Sequence, residues 1–139
     1  MSVFGNSKAV LTVPGGAFAV ETSAGDLFTW QVEHPLIVTD VTVLVTVLVA
    51  ADTTDQIVAL DGVIAGATRA EFGRVSITEA DAVGTTHSMA EEDTTYSVPT
   101  FSEGDTLYIE QVQAAADSTA VAGDVEVNIF YELIPDGTV

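Results

Sequence analysis

The chain alternates apolar and polar residues with a period of two, and this alternation constrains its fold more than any other feature. In residues 125–133 every odd-numbered residue is apolar, and the even-numbered residues are polar apart from Phe130. Successive side chains of a β-strand point to opposite faces, so this pattern predicts a strand with one buried face. Similar stretches recur along the chain, and the sequence therefore predicts an all-β protein.

Turn signals separate the predicted strands at intervals of about 8–15 residues. They include Pro14-Gly15-Gly16, Asp61-Gly62 and Ser102-Glu103-Gly104-Asp105. The predicted strands are 9–13, 17–22, 27–32, 36–50, 56–60, 72–78, 94–98, 106–112 and 125–133. Their spacing predicts a jelly-roll-like β-sandwich of about eight to ten short antiparallel strands. An immunoglobulin-like sandwich is the alternative, although the cysteine pair of true immunoglobulin domains is missing from the sequence.

A length of 139 residues suits one domain with its own hydrophobic core. We expect a sandwich domain at 9–135, preceded by an N-terminal arm at 1–8 and followed by a C-terminal tail at 136–139. The first residues lack the basic and apolar regions of a signal peptide. The most apolar stretch, 36–51, is shorter than a membrane helix requires and is rich in β-branched residues, which favours a buried strand.

The second constraint is charge, because 21 Asp and Glu stand against 3 Lys and Arg and give a formal net charge of -18. Nucleic-acid binding requires cations that replace phosphate counterions, and only Lys8, Arg69 and Arg74 are present. The same charge disfavours anionic membranes. Disordered acidic chains contain few hydrophobic residues, whereas 47% of this chain is hydrophobic. Self-repulsion of the folded chain weakens when salt screens it, so the composition is typical of a high-salt environment.

The longest predicted strand, 36–50, is apolar on both faces. Its odd-numbered face is nearly all valine, including Val45, and we expect that face to point into the core. Its even-numbered face mixes threonine with Val38, Leu44 and Leu48. Soluble monomers rarely expose large apolar patches, so these three residues predict a subunit interface, with a trimer favoured. Lys8 joins this interface prediction because chain ends adapt to a partner while strands stay rigid.

Residues with catalytic chemistry are few and are poorly spaced for it. A cupin-like metal site needs several inward-facing histidines, but His34 precedes a proline and His87 lies in a predicted polar loop. We interpret both as surface histidines. Ser88 follows His87 directly, and adjacent strand residues point to opposite faces, which disfavours a Ser–His pair. The sequence therefore predicts no catalytic residues, no cofactor and no enzyme activity.

The abundant carboxylates leave calcium binding open, because Ca2+ takes six to eight oxygen ligands from flexible loops. The candidate ligands are Asp52, Asp55, Glu91, Glu92 and Asp93. No EF-hand loop is present in the sequence. Trp30 could stack against a sugar, but its same-face neighbours are apolar, which favours a core position.

Four segments carry a resemblance to a known group of proteins. They are a strand start at Lys8 to Val13, Gly25-Asp26-Leu27 before an aromatic strand, Gly104-Asp105-Thr106-Leu107 before another strand, and a Gly-flanked loop before the closing strand Val125 to Tyr131. This layout covers most of the chain. It resembles the small jelly-roll or β-sandwich structural proteins of tailed viruses, especially head decoration (cement) proteins.

The resemblance implies a non-enzymatic virion protein on the outer capsid surface, bound to the major capsid protein or to other virion proteins, often as a homotrimer. Together with the acidic composition it implies a halophilic host. It carries over no individual functional residue. The alternative function is a carbohydrate- or receptor-binding β-sandwich module assisted by Ca2+.

Overall fold

The structure is a computed structural model that describes residues 7–17, 25–47, 56–78, 81–113 and 123–135. Nine strands and one short helix lie within these residues. The strands are β1 (Ser7–Ala17), β2 (Gly25–Gln31), β3 (Leu36–Val47), β4 (Gln56–Val63), β5 (Ala70–Ile77), β6 (Thr86–Ser88), β7 (Thr100–Phe101), β8 (Thr106–Gln113) and β9 (Asp124–Leu133), and the helix α1 is Met89–Glu92.

The strands form two antiparallel sheets that pack against each other. Sheet I has the order β1-β9-β3-β6, with β7 also paired to β3, and sheet II has the order β2-β8-β4-β5. The first four strands alternate between the sheets, so the chain crosses the sandwich at each early connection, as in Greek-key proteins. The prediction of an all-β sandwich of about eight to ten antiparallel strands is confirmed.

The hydrophobic core lies between the two sheets and is built from their alternating inward side chains. In β9, Val125, Val127 and Ile129 are at most 1% exposed, as the alternation of the sequence predicts. Trp30 packs against the same core from β2, and its ring meets Tyr131 edge-on with the centroids 5.4 Å apart. Trp30 is therefore partly buried and packs against the core, on the side that its apolar neighbours predict.

A β-bulge in β3 changes the faces that strict alternation predicts. The pairing with β9 shifts register between Val38 and Asp40, which leaves Thr39 as an extra residue. Before the bulge the even-numbered Val38 points into the core and is 0% exposed, whereas after it the odd-numbered residues do so. The prediction that Val38 lies at an interface is therefore wrong. The extra residue Thr39 switches the core-facing positions from even to odd numbers, so Val38, which precedes it, points into the core. Val45 is 1% exposed, as predicted.

Two predicted turns lie inside strands. Segment 14–16 belongs to β1, which shifts register against β9 at this point, and Pro14 is compatible with an edge strand of the described sheet. Segment 61–62 belongs to β4. Gly62 is required there by close packing, since a Cβ at this position would lie 2.6 Å from Phe101 Cε1.

The boundaries of other elements also differ from expectation. Lys8 lies within β1 and not in an N-terminal arm, and residues 94–98 form no strand. In the segment 79–93 the sequence predicts a long polar loop that leaves room for a short strand, and the structure has both the short strand β6 and the helix α1 there. Ser88 caps α1 by accepting a hydrogen bond from Glu91 N, and α1 contacts β3 and β5, where it covers one edge of the sandwich.

Candidate functional site

The outer face of sheet I carries a shallow groove of about 360 Å3 between β1, β9 and the bulge of β3. We call it the sheet I groove, and its lining residues are Lys8, Ala9, Val10, Thr39, Phe130, Tyr131 and Glu132. Lys8 pairs with Glu132 in the β1–β9 ladder, and Val10 pairs with Phe130. Directly paired side chains on one face lie close together, so these four form two adjacent rows.

The groove exposes apolar surface on an acidic molecule. Val10 is 53% exposed and Phe130 is 36% exposed. The neighbouring Thr39 hydroxyl is engaged within the sheet, since its Oγ1 donates to the carbonyl oxygen of Phe130 at 3.2 Å. Lys8 and Glu132 lie at one end of the apolar rows. Apolar side chains edged by charged ones suit contact with the surface of another protein.

The residues predicted to form an interface lie in different parts of the structure. Lys8 is exposed and lines the sheet I groove. Leu44 is half-buried, and Val38 belongs to the core. Leu48 lies outside the described residues. The sequence did contain a signal for the groove, because Phe130 is the single apolar residue on the polar side of β9.

A second cluster surrounds His87, which lies between two carboxylates. His87 Nε2 is 2.8 Å from Asp81 Oδ2, and His87 Nδ1 is 2.9 Å from Glu92 Oε2. Carboxylates only accept, so a ring protonated at both nitrogens satisfies both contacts. Burial lowers the pKa of His87, but the hydrogen bonds that the ring donates to Glu92 and Asp81 outweigh burial and raise this pKa above 6.5. The side chain is 14% exposed, so the interpretation of His87 as a surface histidine is wrong.

The serine next to this histidine is engaged elsewhere. Ser88 Oγ donates to Asp40 Oδ2 at 2.7 Å, and Asp40 Oδ1 also accepts from the backbone N–H of Ala90. The other histidine, His34, places its Nε2 3.0 Å from the carbonyl oxygen of Ile134. Ser88 therefore helps to join α1 to β3. His34 helps to join the chain before β3 to the residue that follows β9.

Two of the three calcium ligands proposed in the 91–93 segment, Glu92 and Asp93, contact other groups of the protein. Glu92 contacts His87, and Asp93 Oδ1 accepts from both the backbone N–H and the hydroxyl of Thr95. The Thr95 hydroxyl lowers the pKa of Asp93. Within the part of the chain that the structure describes, no group of three or more potential ligands could hold a metal ion. The candidates Asp52 and Asp55 lie outside that part.

A third cluster lies on the outer face of sheet II, where Arg69 contacts a carboxylate from each of three adjacent strands. Its Nε is 2.9 Å from Asp61 Oδ2, and its Nη2 is 2.6 Å from Asp26 Oδ1 and 3.3 Å from Glu110 Oε2. The guanidinium carbon lies 3.9 Å from the centroid of the Tyr108 ring. The hydrogen bonding that Arg69 donates to Asp26 is the main cause of a raised Arg69 pKa, so the arginine stays charged. We call these residues the Arg69 cluster.

Sequence reasoning missed the Arg69 cluster because it assigned Asp61 to a surface turn. In β4 the side chain of Asp61 is instead 7% exposed beneath Arg69. Glu110 shares this environment, and the hydrogen bond that its protonated form can donate to Asp61, followed by burial, raises the pKa of Glu110 to about 7. The cluster can therefore hold a proton near neutral pH.

No family model, curated protein or solved structure matches the chain. In the described segments, no helix has the length and hydrophobicity that crossing a membrane requires.

Proposed function

We propose that the chain is a non-enzymatic structural protein of a virus particle, which decorates and stabilises the outer capsid by protein–protein binding. The observation that carries this proposal is the sheet I groove, where Val10 and Phe130 are exposed beside Lys8. Lys8 is the only lysine of a chain with a net charge of -18. Such a chain repels acidic partners over most of its surface, so docking is favoured where apolar side chains and a cation meet.

The order of the strands supports the same proposal. Two packed antiparallel sheets in the orders β1-β9-β3-β6 and β2-β8-β4-β5 suit an eight-stranded jelly roll with β7 as an addition. Viral capsid and lectin domains use this architecture. The resemblance to head decoration proteins and the strand order therefore favour the same class of protein.

In this proposal the partner is the major capsid protein or another virion protein, and the chain acts as a homo-oligomer, with a trimer favoured, on the virion surface. Many copies on a lattice convert a modest contact into stable attachment. The host environment is rich in salt, because screening removes the self-repulsion of a chain with a charge of -18. A thermal midpoint that rises from low to molar salt supports this part, and a constant midpoint contradicts it.

The test compares two exposed valines. Val10 lies in the groove and is 53% exposed, and Val83 lies in a turn remote from the groove residues in sequence and is 59% exposed. We expect Val10→Ser to weaken co-sedimentation with virus particles from cells that carry the gene by about tenfold, which is about 1.4 kcal/mol. Val83→Ser should bind like the unmodified chain. Equal binding of both variants would contradict a role for the groove.

A second outcome separates this proposal from the glycan-binding alternative. Unmodified chain that does not bind particles at molar salt, but binds a glycan array when Ca2+ is added, would replace the capsid proposal. Light scattering at molar salt measures the mass of the free assembly, and a strict monomer would remove the trimer from the proposal.

A further inference from the structure

One buried carboxylate oxygen of the Arg69 cluster lacks a hydrogen-bond donor. The other carboxylates of the cluster cannot supply one while they are ionised, because an ionised carboxylate only accepts. Asp61 Oδ1 is buried and has no hydrogen-bond partner, whereas Oδ2 of the same side chain is 2.9 Å from Arg69 Nε. The whole residue is 5% exposed. A buried acceptor without a donor costs free energy, so this position favours a ligand that supplies a hydrogen-bond donor.

The donors of Arg69 are directed to other atoms. Its Nη1 and Nη2 donate to the two oxygens of Asp26, and Nη2 also lies 3.3 Å from Glu110 Oε2. Asp61 and Glu110 lie on adjacent strands, since Asp61 pairs with Tyr108 and Glu110 with Ala59. Residues two positions apart across a ladder share a face and are diagonal neighbours, so the two carboxyl groups lie within reach of each other.

The geometry points to a proton-binding site shared by Asp61 and Glu110, in which protonated Glu110 donates to Asp61 Oδ1. The cluster contains three carboxylates and one guanidinium, so binding of one proton lowers its excess negative charge as it satisfies the buried oxygen. No covalent bond changes in this step except the O–H bond, and the proton comes from solvent. This site is independent of the sheet I groove and of the proposed function.

The bound proton links β4 to β8 through the hydrogen bond between Glu110 and Asp61. Arg69 links both strands to β2 through its contact with Asp26. The charged groups that act on Glu110 are Asp26 from β2, Asp61 from β4 and Arg69 from the chain between β4 and β5. Tyr108 of β8 stacks against Arg69, and Glu71 and Arg74 of β5 lie beside Asp61. A hydrogen bond to Asp61 and burial raise the pKa of Glu110 from 4.5 to about 7. The folded chain then binds this proton more tightly than the unfolded chain. The contribution of this site to stability is therefore fully present below pH 4.5 and is lost as the pH rises through about 7.

The test follows the Glu110 carboxyl carbon by NMR in isotopically labelled protein as the pH is varied in molar salt. We expect a midpoint of about 7 in the unmodified chain. Asp61→Asn removes the negative charge and adds an amide donor that favours ionised Glu110, so the midpoint should move towards 4.5. Asp26→Asn is the matched control, because it removes the more exposed carboxylate and leaves the Asp61–Glu110 pair intact. Its midpoint should stay well above 4.5.

A second measurement covers the case in which Asp61→Asn does not fold. Glu110→Gln carries a permanent amide donor towards Asp61 Oδ1, so its unfolding free energy should decrease less than that of the unmodified chain between pH 4.5 and 7. His87 is present in both proteins, and its contribution cancels in this difference. A Glu110 midpoint near 4.5, or equal pH dependence of the two proteins, would overturn the proposal.

Discussion

The outer faces of the two sheets differ in whether their cation is paired with carboxylates or exposed beside apolar side chains. On sheet II, Arg69 holds carboxylates from three strands, and the side chain of Asp61 is 7% exposed beneath it. On sheet I, Lys8 is exposed beside Val10 and Phe130, which present apolar surface to the solvent. Arg69 therefore holds strands together on sheet II, whereas Lys8 is exposed to solvent on sheet I.

This difference separates residues that stabilise the fold from residues that are available to a partner. Removal of a cation from sheet II leaves buried negative charge without a partner, which destabilises the folded state. Removal of an exposed apolar side chain from the sheet I groove changes little inside the sandwich. Substitutions on sheet II should therefore reduce stability, and substitutions in the groove should reduce binding.

The largest expected effect distinguishes the two sides of sheet I itself. Val45 is 1% exposed on the core side of β3, and its neighbour Leu44 is half-buried on the outer side. Val45→Asp buries an unpaired carboxylate, which costs on the order of 5 kcal/mol and unfolds a marginally stable domain. Leu44→Asp should cost about 1 kcal/mol. Urea titration measures both, and a folded Val45→Asp protein would show that the inner face is misassigned.

The next effect tests the cohesion of sheet II. Arg69→Met removes the guanidinium from Asp61 and should reduce the unfolding free energy by roughly 3 kcal/mol. Arg74→Met is the control, because Arg74 is 44% exposed and contacts the partly exposed Glu71 three residues before it. Exposed pairs of this kind contribute about 0–1 kcal/mol. Equal losses in the two variants would contradict a special role for the Arg69 cluster.

A smaller, pH-dependent effect is expected at His87. Its folded pKa is raised above 6.5, so its contribution is fully present below pH 6.5 and is lost as the pH rises through the folded pKa. At pH 5.5 we expect His87→Gln to cost about 1–2 kcal/mol, because it removes charge-assisted hydrogen bonds to Asp81 and Glu92. The difference should shrink at pH 9. A difference that is constant with pH, measured by denaturant unfolding, would show that the ring does not bind its extra proton.

The sequence predicted those parts of the fold in which each residue obeys the local pattern. The alternation in 125–133 predicted the buried and outer faces of β9 correctly, but it did not predict that Phe130 lines a groove. The bulge at Thr39 was not predictable, because the register of β3 depends on its partner β9 and not on its own residues. Asp61-Gly62 imitates a turn, but both residues pair with β5 and β8, and the Phe101 ring lies where a Cβ of residue 62 would be. Local signals do not reveal such tertiary contacts.

The candidate sites were less predictable than the fold for the same reason. Lys8 and Phe130 are 122 positions apart in the sequence (130 minus 8), and only the pairing of β1 with β9 brings their rows together. The Arg69 cluster likewise needs β2, β8 and β4 to be adjacent in sheet II. Charge counting showed that the cations were few, but the position of each on a face follows from strand order.

The most direct test of the proposed function uses the single lysine of the chain. An amine-reactive reagent applied to free chain and to purified virus particles, followed by mass spectrometry of the Lys8 peptide, reports whether the sheet I groove is covered. We expect Lys8 to react readily in the free protein and much more slowly on the particle. Particles that contain the chain but leave Lys8 as reactive as in the free protein would contradict attachment through this face.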